Sequence, residues 1–303
     1  MKVRIGYGLG TRSLTNDAVR FNAFVDALEG CGFDSLWLSE RLTGDCPDPL
    51  IGLAVAAGRT QKLKLGTSVQ VLPGRNPVLV AKEWASLDRL SNGRALPAFG
   101  LGVADPGEQQ AFGVARGERA KWFDEALPLI RRLWTEDSVD HDGARFHYEA
   151  VRVRPKPVQQ PPDVWLGGIA PSELRRIGRL GDGWLPSFCT ADDVARSRPI
   201  IEAAAAEHGR AIDGEHWGAL IAYTHDELPD SVVRVLAARR PDLDDPRQVV
   251  AVGHDGLRDA IERFIAAGTS KFVAIPLSEP ADWDAELAAL AGAVLDLQRA
   301  KAA

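Results

Sequence analysis

Three cysteines in 303 residues, Cys31, Cys46 and Cys189, are too few and too scattered to frame a fold with disulfides, and they read as reduced thiols that fill space. No run of about 18 apolar residues occurs, so nothing in the chain reads as a membrane-spanning helix. There is no basic run either. A net charge of -6 and a pI near 5.6 argue against nucleic acid and against an anionic membrane surface as partners. The opening MKVRIGYGLG enters a strand pattern without a basic segment, apolar stretch and cleavage site, so the expected location is the cytoplasm. The histidines at 141, 147, 208, 216, 225 and 254 include no pair spaced for one helix face and none near a cysteine. No metal is expected unless folding gathers distant residues. Repeats and low-complexity tracts are absent as well.

What is present is a 45% hydrophobic chain in which short apolar, β-branched strands alternate with amphipathic helices. Expected strands are Val3–Leu9, Ser35–Ser39, Leu63–Val69, Ala95–Leu101, Val164–Gly167, Gly183–Leu185, Trp217–Tyr223 and Lys271–Ile275. Between them the pattern places helices at Asp17–Glu29, Pro49–Arg59, Pro77–Leu90, Arg119–Trp134, Ser172–Leu180, Asp192–His208, Gly256–Ala267 and Trp283–Arg299. Gly30, Gly209 and Gly268 stand where C-terminal caps belong. Eight such pairs without a break in composition predict one domain over 1–303, an α/β (β/α)8 TIM barrel, in preference to an open doubly wound sheet.

Two segments interrupt the repeat. Residues 138–162 alternate as a β-ribbon with Asp142-Gly143 as its two-residue turn, and residues 227–252 form a polar, proline-punctuated excursion. In a barrel both are rim insertions.

Barrel function sits at the C-terminal strand ends, here Gly8 and Gly10, Ser39-Glu40-Arg41, Ser68-Val69, Gly100 and Gly102, Gly167-Gly168, Pro186-Ser187, Tyr223 and Pro276. Small residues dominate, where a hydrolase or aldolase would show carboxylates, lysine or histidines. Such a floor suits something planar. Alone, Gly167-Gly168 is as readily a tight turn, Glu40-Arg41 as readily a solvated pair, and LSNGR (Leu90–Arg94) reads as a turn and cap at the opposite face. Trp37, Trp84, Trp122, Trp134, Trp165 and Trp184 read as packing residues.

The strings GFDSLWLSERL, GTSVQVLPGRNPVLVAKEWASLDRLSNGRALPAFGLG and PPDVWLGGIAPSELRRIGRLGDGWLPS resemble the luciferase-like monooxygenase superfamily. The resemblance runs from residue 1 to about 190 and, more loosely, over Leu257–Pro276. GTSV followed by RNP is most similar to the branch using the 8-hydroxy-5-deazaflavin coenzyme F420 rather than FMN. The resemblance implies a bacterial luciferase-like barrel and an F420-dependent oxidoreductase that transfers a hydride to or from a small organic substrate. First-half helices would pair in a homodimer.

Position by position, it implies a cis peptide between Ser68 and Val69 behind the ring, and Gly8, Gly100 and Gly102 around the ring pocket. Gly167, Gly168 and Ile169 with Ser187 would hold the phosphate at a helix start. Glu40 would meet the pyrimidine-like edge and Arg41 the reactive face, the two being the expected catalytic residues. Arg41 stands where relatives that oxidise alcohols or sugar phosphates carry a proton-accepting histidine, Val103 where sugar-phosphate dehydrogenases carry a glutamate, and the lysine beyond Ser187 is missing. These departures favour a reductase. Arg12 and Arg75 are candidates for the coenzyme's acidic tail. Two alternatives stay open: an FMN-dependent monooxygenase using reduced flavin and oxygen, and a non-catalytic flavin-binding barrel.

Overall fold

The computed structural model describes residues 1–11 and 17–299. The chain runs β1 (Arg4–Gly8), α1 (Ala18–Cys31), β2 (Ser35–Leu38), α2 (Pro49–Arg59), β3 (Lys64–Thr67), β4 (Gln70–Val71) and α3 (Pro77–Leu90). Next come β5 (Ala95–Leu96), β6 (Ala98–Gly100), α4 (Pro106–Phe112), α5 (Arg119–Thr135), β7 (Val139–Asp142), β8 (His147–Val151) and β9 (Trp165–Leu166). The remainder is α6 (Pro171–Leu180), β10 (Gly183–Trp184), α7 (Ala191–Glu207), β11 (Gly218–Thr224), α8 (Asp230–Arg239), β12 (Val250–Val252), α9 (Gly253–Ala266), β13 (Lys271–Pro276), α10 (Trp283–Val294) and α11 (Asp296–Arg299). This is the element order of a (β/α)8 barrel with rim insertions.

The chain divides into two compact units. The first comprises Met1–Leu9, Ala27–Ser35 and the chain from Leu166 onward. Within it the first strand pairs with the last, Arg4↔Lys271 through Tyr7↔Ala274, in parallel, which is how a barrel closes. β11 pairs with β13 along its length. Its other edge meets β10 through bridges Trp184↔Trp217 and Ser187↔Leu220, then β12 through Ala222↔Val250. Lys271, 3% exposed, is neutralised by Asp34 at 2.7 Å. α6 lies close on α7 because Gly178 has no side chain: a Cβ there would come within 2.3 Å of the Ile201 carbonyl.

The second unit comprises Gly10–Asp26 and Leu36–Trp165. α2 and α3 start at prolines, each behind a side-chain cap: Asp48 accepts from Leu50 and Ile51 amides, and Asn76 from Val78 and Leu79 amides. β3 pairs with β5 (Gly66↔Leu96) and β4 with β6 (Gln70↔Phe99). Between those pairs Thr67, Ser68 and Val69 stand opposite only Pro97 and Ala98, a β-bulge with one extra residue on the third strand. Thr67 bridges the break through its hydroxyl, which bonds both the carbonyl (2.7 Å) and the amide (3.1 Å) of Ala98. Arg94 closes the opposite end, donating to Ser91, Leu63 and Ala57 carbonyls and to the Thr60 hydroxyl. LSNGR is thus a structural fastening, with Asn92 and Gly93 at positive φ (58° and 78°).

Several elements depart from the sequence expectation. α1 runs on through Gly30 to Cys31, and the left-handed residue is Gly32 (φ 90°); Gly209 and Gly268 do hold cap positions at positive φ. The hairpin register Asp142↔His147 leaves a four-residue loop in place of a two-residue turn. Glu125 on α5 causes this, accepting from the Arg145 and Phe146 amides and from His141. α4 lies between the expected strand and helix, in a stretch to which the sequence pattern assigns no element. The late excursion holds α8 and β12, with a small core of Ala222, Leu236, Val249 and Val250. Arg240, 2% exposed, ties it down by pairing with Asp193 and Asp242 and donating to the Phe188 carbonyl.

Candidate active site

The strand ends of the second unit gather six of the expected residues. The Ser68-Val69 peptide is cis, as expected. Ser39 at the end of β2 donates to the Ser68 carbonyl at 3.0 Å, and its hydroxyl meets that of Ser68 at 3.1 Å. Gly100 is bare of necessity, since a Cβ there would stand 2.5 Å from Val69 Cγ2. Gly102 adopts φ 80°, and its Cβ would be 3.0 Å from Val71 Cγ1. Arg119 holds this strand extension by donating to the Leu101, Gly102 and Val103 carbonyls.

Glu40 is not a solvated loop charge. Its side chain is 2% exposed, accepts from the Val71 amide at 2.6 Å and pairs with Arg75. Burial raises its pKa above the ordinary glutamate value, with Arg75 and the Val71 amide pulling the other way. Arg75 also donates to the Val71 carbonyl and lies over the Phe112 ring, so its charge is committed here. Arg41 is paired too, 3.3 Å from Glu108, whose carboxylate also accepts from the Thr43 amide and hydroxyl. Against the raising effect of burial, those Thr43 bonds keep Glu108 below its usual value. Arg12 lies outside the described residues.

In the first unit, Gly8 faces Ile275: a Cβ would lie 2.9 Å from its Cγ1. Gly168, at φ 105°, leads into α6, and Trp184 donates to its carbonyl at 2.9 Å. The amides of Ile169 and Ala170 already hold an anion, the Glu173 carboxylate, at 3.1 and 3.0 Å. Ser187 is partly exposed and bridges to Leu220.

Sequence reasoning missed Glu108, Arg119 and Glu173, all of which grip backbone or side chains of the expected residues. It also missed a convergence in the first unit: His225 and His254, which no spacing rule connects, both meet Glu286, at 3.0 and 2.8 Å. No expected site residue belongs to that cluster. Trp37, Trp84, Trp134, Trp165 and Trp184 are buried core, as read from the pattern; Trp122 is half-buried against Phe146.

The sequence profile described as luciferase-like monooxygenase matches residues 3–274. The chain belongs to this family. Among curated relatives, an F420-dependent glucose-6-phosphate dehydrogenase of Kineococcus radiotolerans is 32% identical over 178 residues, 55% of this chain and 51% of that one. Limonene 1,2-monooxygenase of Rhodococcus erythropolis is 29% identical over 201 residues, covering 64% of this chain and 51% of that protein. This chain thus spans about half the length of the curated relatives it matches. Among solved structures, the coenzyme F420-dependent tetrahydromethanopterin reductase of Methanopyrus kandleri superposes with a TM-score of 0.78 at 20% identity, covering 98% of this chain and 99% of that one. At that identity the likeness establishes the luciferase-like barrel fold.

Proposed function

We propose that this protein is an oxidoreductase that binds coenzyme F420 and reduces a small organic substrate. The observation that carries the reading is the side-chain-free end of β6, where Gly100 and Gly102 present backbone alone and pack against Val69 and Val71 of the bulged third strand. A relative named for F420 dependence at 32% identity agrees with it. When bound, the coenzyme supplies the hydride-carrying ring carbon.

The protein's own residues position and polarise. Glu40, gripping the Val71 amide and Arg75, fixes the strand edge behind the ring pocket in one place. Gly167, Gly168, Ile169 and Ser187 take the coenzyme phosphate; that the Ile169 and Ala170 amides already donate to a carboxylate speaks for their fitness toward anions. Arg41, anchored by Glu108 and 35% exposed, offers a permanent positive charge that stabilises oxyanion character on the substrate and cannot act as a base. With Val103 in place of a carboxylate, reduction fits better than oxidation of a sugar phosphate.

A homodimer accompanies this reading. Ile51, Leu79 and Leu90 of α2 and α3 are 65%, 61% and 83% exposed, beside a groove of about 760 Å3 lined by Leu50, Ala54 and Leu87. A second copy covers this face; Leu90→Asp halves the mass in light scattering if so.

The purified protein titrated with oxidised F420 and with FMN tests the cofactor. Tighter F420 binding is expected, and preference for FMN overturns the reading in favour of a monooxygenase. Stopped-flow mixing of reduced F420 complex with enones and imines then separates reductase from carrier, binding without hydride loss marking the carrier.

A further inference from the structure

We propose that His225, His254 and Glu286 form a binding site for one divalent transition-metal ion, zinc being the ion that two imidazoles and a carboxylate suit best. Three elements supply the donors. His225 follows the end of β11, His254 is the second residue of α9, and Glu286 lies in the first turn of α10. Their ligating atoms all lie within 4.8 Å of one another. His225 Nε2 stands 3.0 Å from Glu286 Oε2 and His254 Nε2 stands 2.8 Å from Oε1, so both rings turn the same nitrogen toward one carboxylate. The rings are 4.7 Å apart and nearly perpendicular. Zinc bonds of about 2.0–2.1 Å put neighbouring donors in a tetrahedral site about 3.3 Å apart, so small rotations open this cluster into a coordination set.

Two further features are those of a metal site. The Tyr223 hydroxyl donates to Glu286 Oε1 at 2.6 Å and itself meets the Tyr7 hydroxyl at 2.8 Å, which holds the carboxylate in one orientation. Glu286 is 9% exposed while the His225 side chain is 46% exposed, giving one open side for ion entry and for a water as fourth ligand. One carboxylate and two neutral imidazoles offset half the charge of a dication. The competing arrangement is a purely hydrogen-bonded one, with both imidazoles donating to the carboxylate.

Calorimetric titration of the untagged, EDTA-treated chain with zinc chloride, repeated with cobalt chloride and its visible absorption, decides between them. One equivalent per chain is expected, with a rise in Tm. His225→Ala and His254→Ala should each abolish stoichiometric binding, Tyr223→Phe should weaken it on the order of 10-fold, and His147→Ala should leave it unchanged. Wild-type protein that takes up neither ion at one equivalent, or binding that survives both histidine substitutions, overturns the proposal. The outcome is independent of the coenzyme assignment, since the titration uses metal alone.

Discussion

The Glu173 carboxylate accepts the Ile169 amide at 3.1 Å and so occupies the helix start that the proposed coenzyme phosphate requires. Phosphate binding there must displace this side chain. Glu173→Ala should therefore lower the Kd for F420 several-fold while costing α6 about 1 kcal/mol of capping. Fluorescence titration beside urea unfolding reads both; an unchanged or weaker Kd would place the phosphate elsewhere.

Gly100 and Val69 are expected to behave as one unit. Gly100→Ala brings a methyl into the space of Val69 Cγ2 and should destabilise by about 1–3 kcal/mol and impair coenzyme binding. Adding Val69→Ala removes the collision, so the double variant should recover stability and binding over the single one. If the double-mutant cycle shows additive losses, the packing argument for the ring pocket is wrong.

Arg75 restrains a charge that burial disfavours. Arg75→Met should cost about 2 kcal/mol at neutral pH, below the 3–5 kcal/mol of a fully enclosed pair, because Arg75 is 23% exposed. The sign with pH follows from Glu40, whose folded pKa is raised and rises further once Arg75 is gone. Such a group contributes stability that is fully present below the ordinary glutamate value near 4.3 and is lost as pH climbs through the folded value. The deficit of Arg75→Met relative to wild type should accordingly shrink as pH falls from neutrality toward 4.5; Arg75→Met with Glu40→Gln should show no such trend. Denaturant unfolding across that range makes the comparison.

Cys189 should be inert. Burial, with Asp193 nearby, pushes its thiol up to about 12, and 6% of the residue is exposed. Aromatic disulfide reagents at pH 8 should modify Cys31 and Cys46 slowly and reach Cys189 only on unfolding. Prompt reaction of a third thiol in folded protein would contradict the packing around Arg240.

How much of this was readable beforehand depends on the range of the interaction. Asp48-Pro49 and Asn76-Pro77 announce their helices locally, and α2 and α3 have the expected bounds because a cap and a proline need no distant partner. The eight expected strands end within a residue or two of the observed ones because apolar, β-branched runs bounded by turn residues are likewise a local signal. The bulge at Thr67–Val69 depends on which residues face it across the sheet, and no pattern along a single strand encodes that. Arg41 reads in sequence as half of a solvated pair or as a group at the reactive face, because Glu108, its partner, sits in a short helix hidden in a stretch of Asp, Pro and Gly. His225 and His254 lie 61 and 32 positions from Glu286, beyond any local spacing rule.

The extra residue in the third strand also resets parity. Side chains alternate faces along a strand, so counting from Gly66 assigns the wrong side to everything after Val69. Gln70 receives the Trp84 indole N–H at 2.8 Å, and Val71 lies against Gly102. Deleting one position between Gly66 and Gln70 would leave two residues opposite Pro97 and Ala98, so Gln70 and Val71 would keep their faces and the loss would fall on the bulge itself. For anyone diversifying this region, chain length there is a stricter constraint than residue identity.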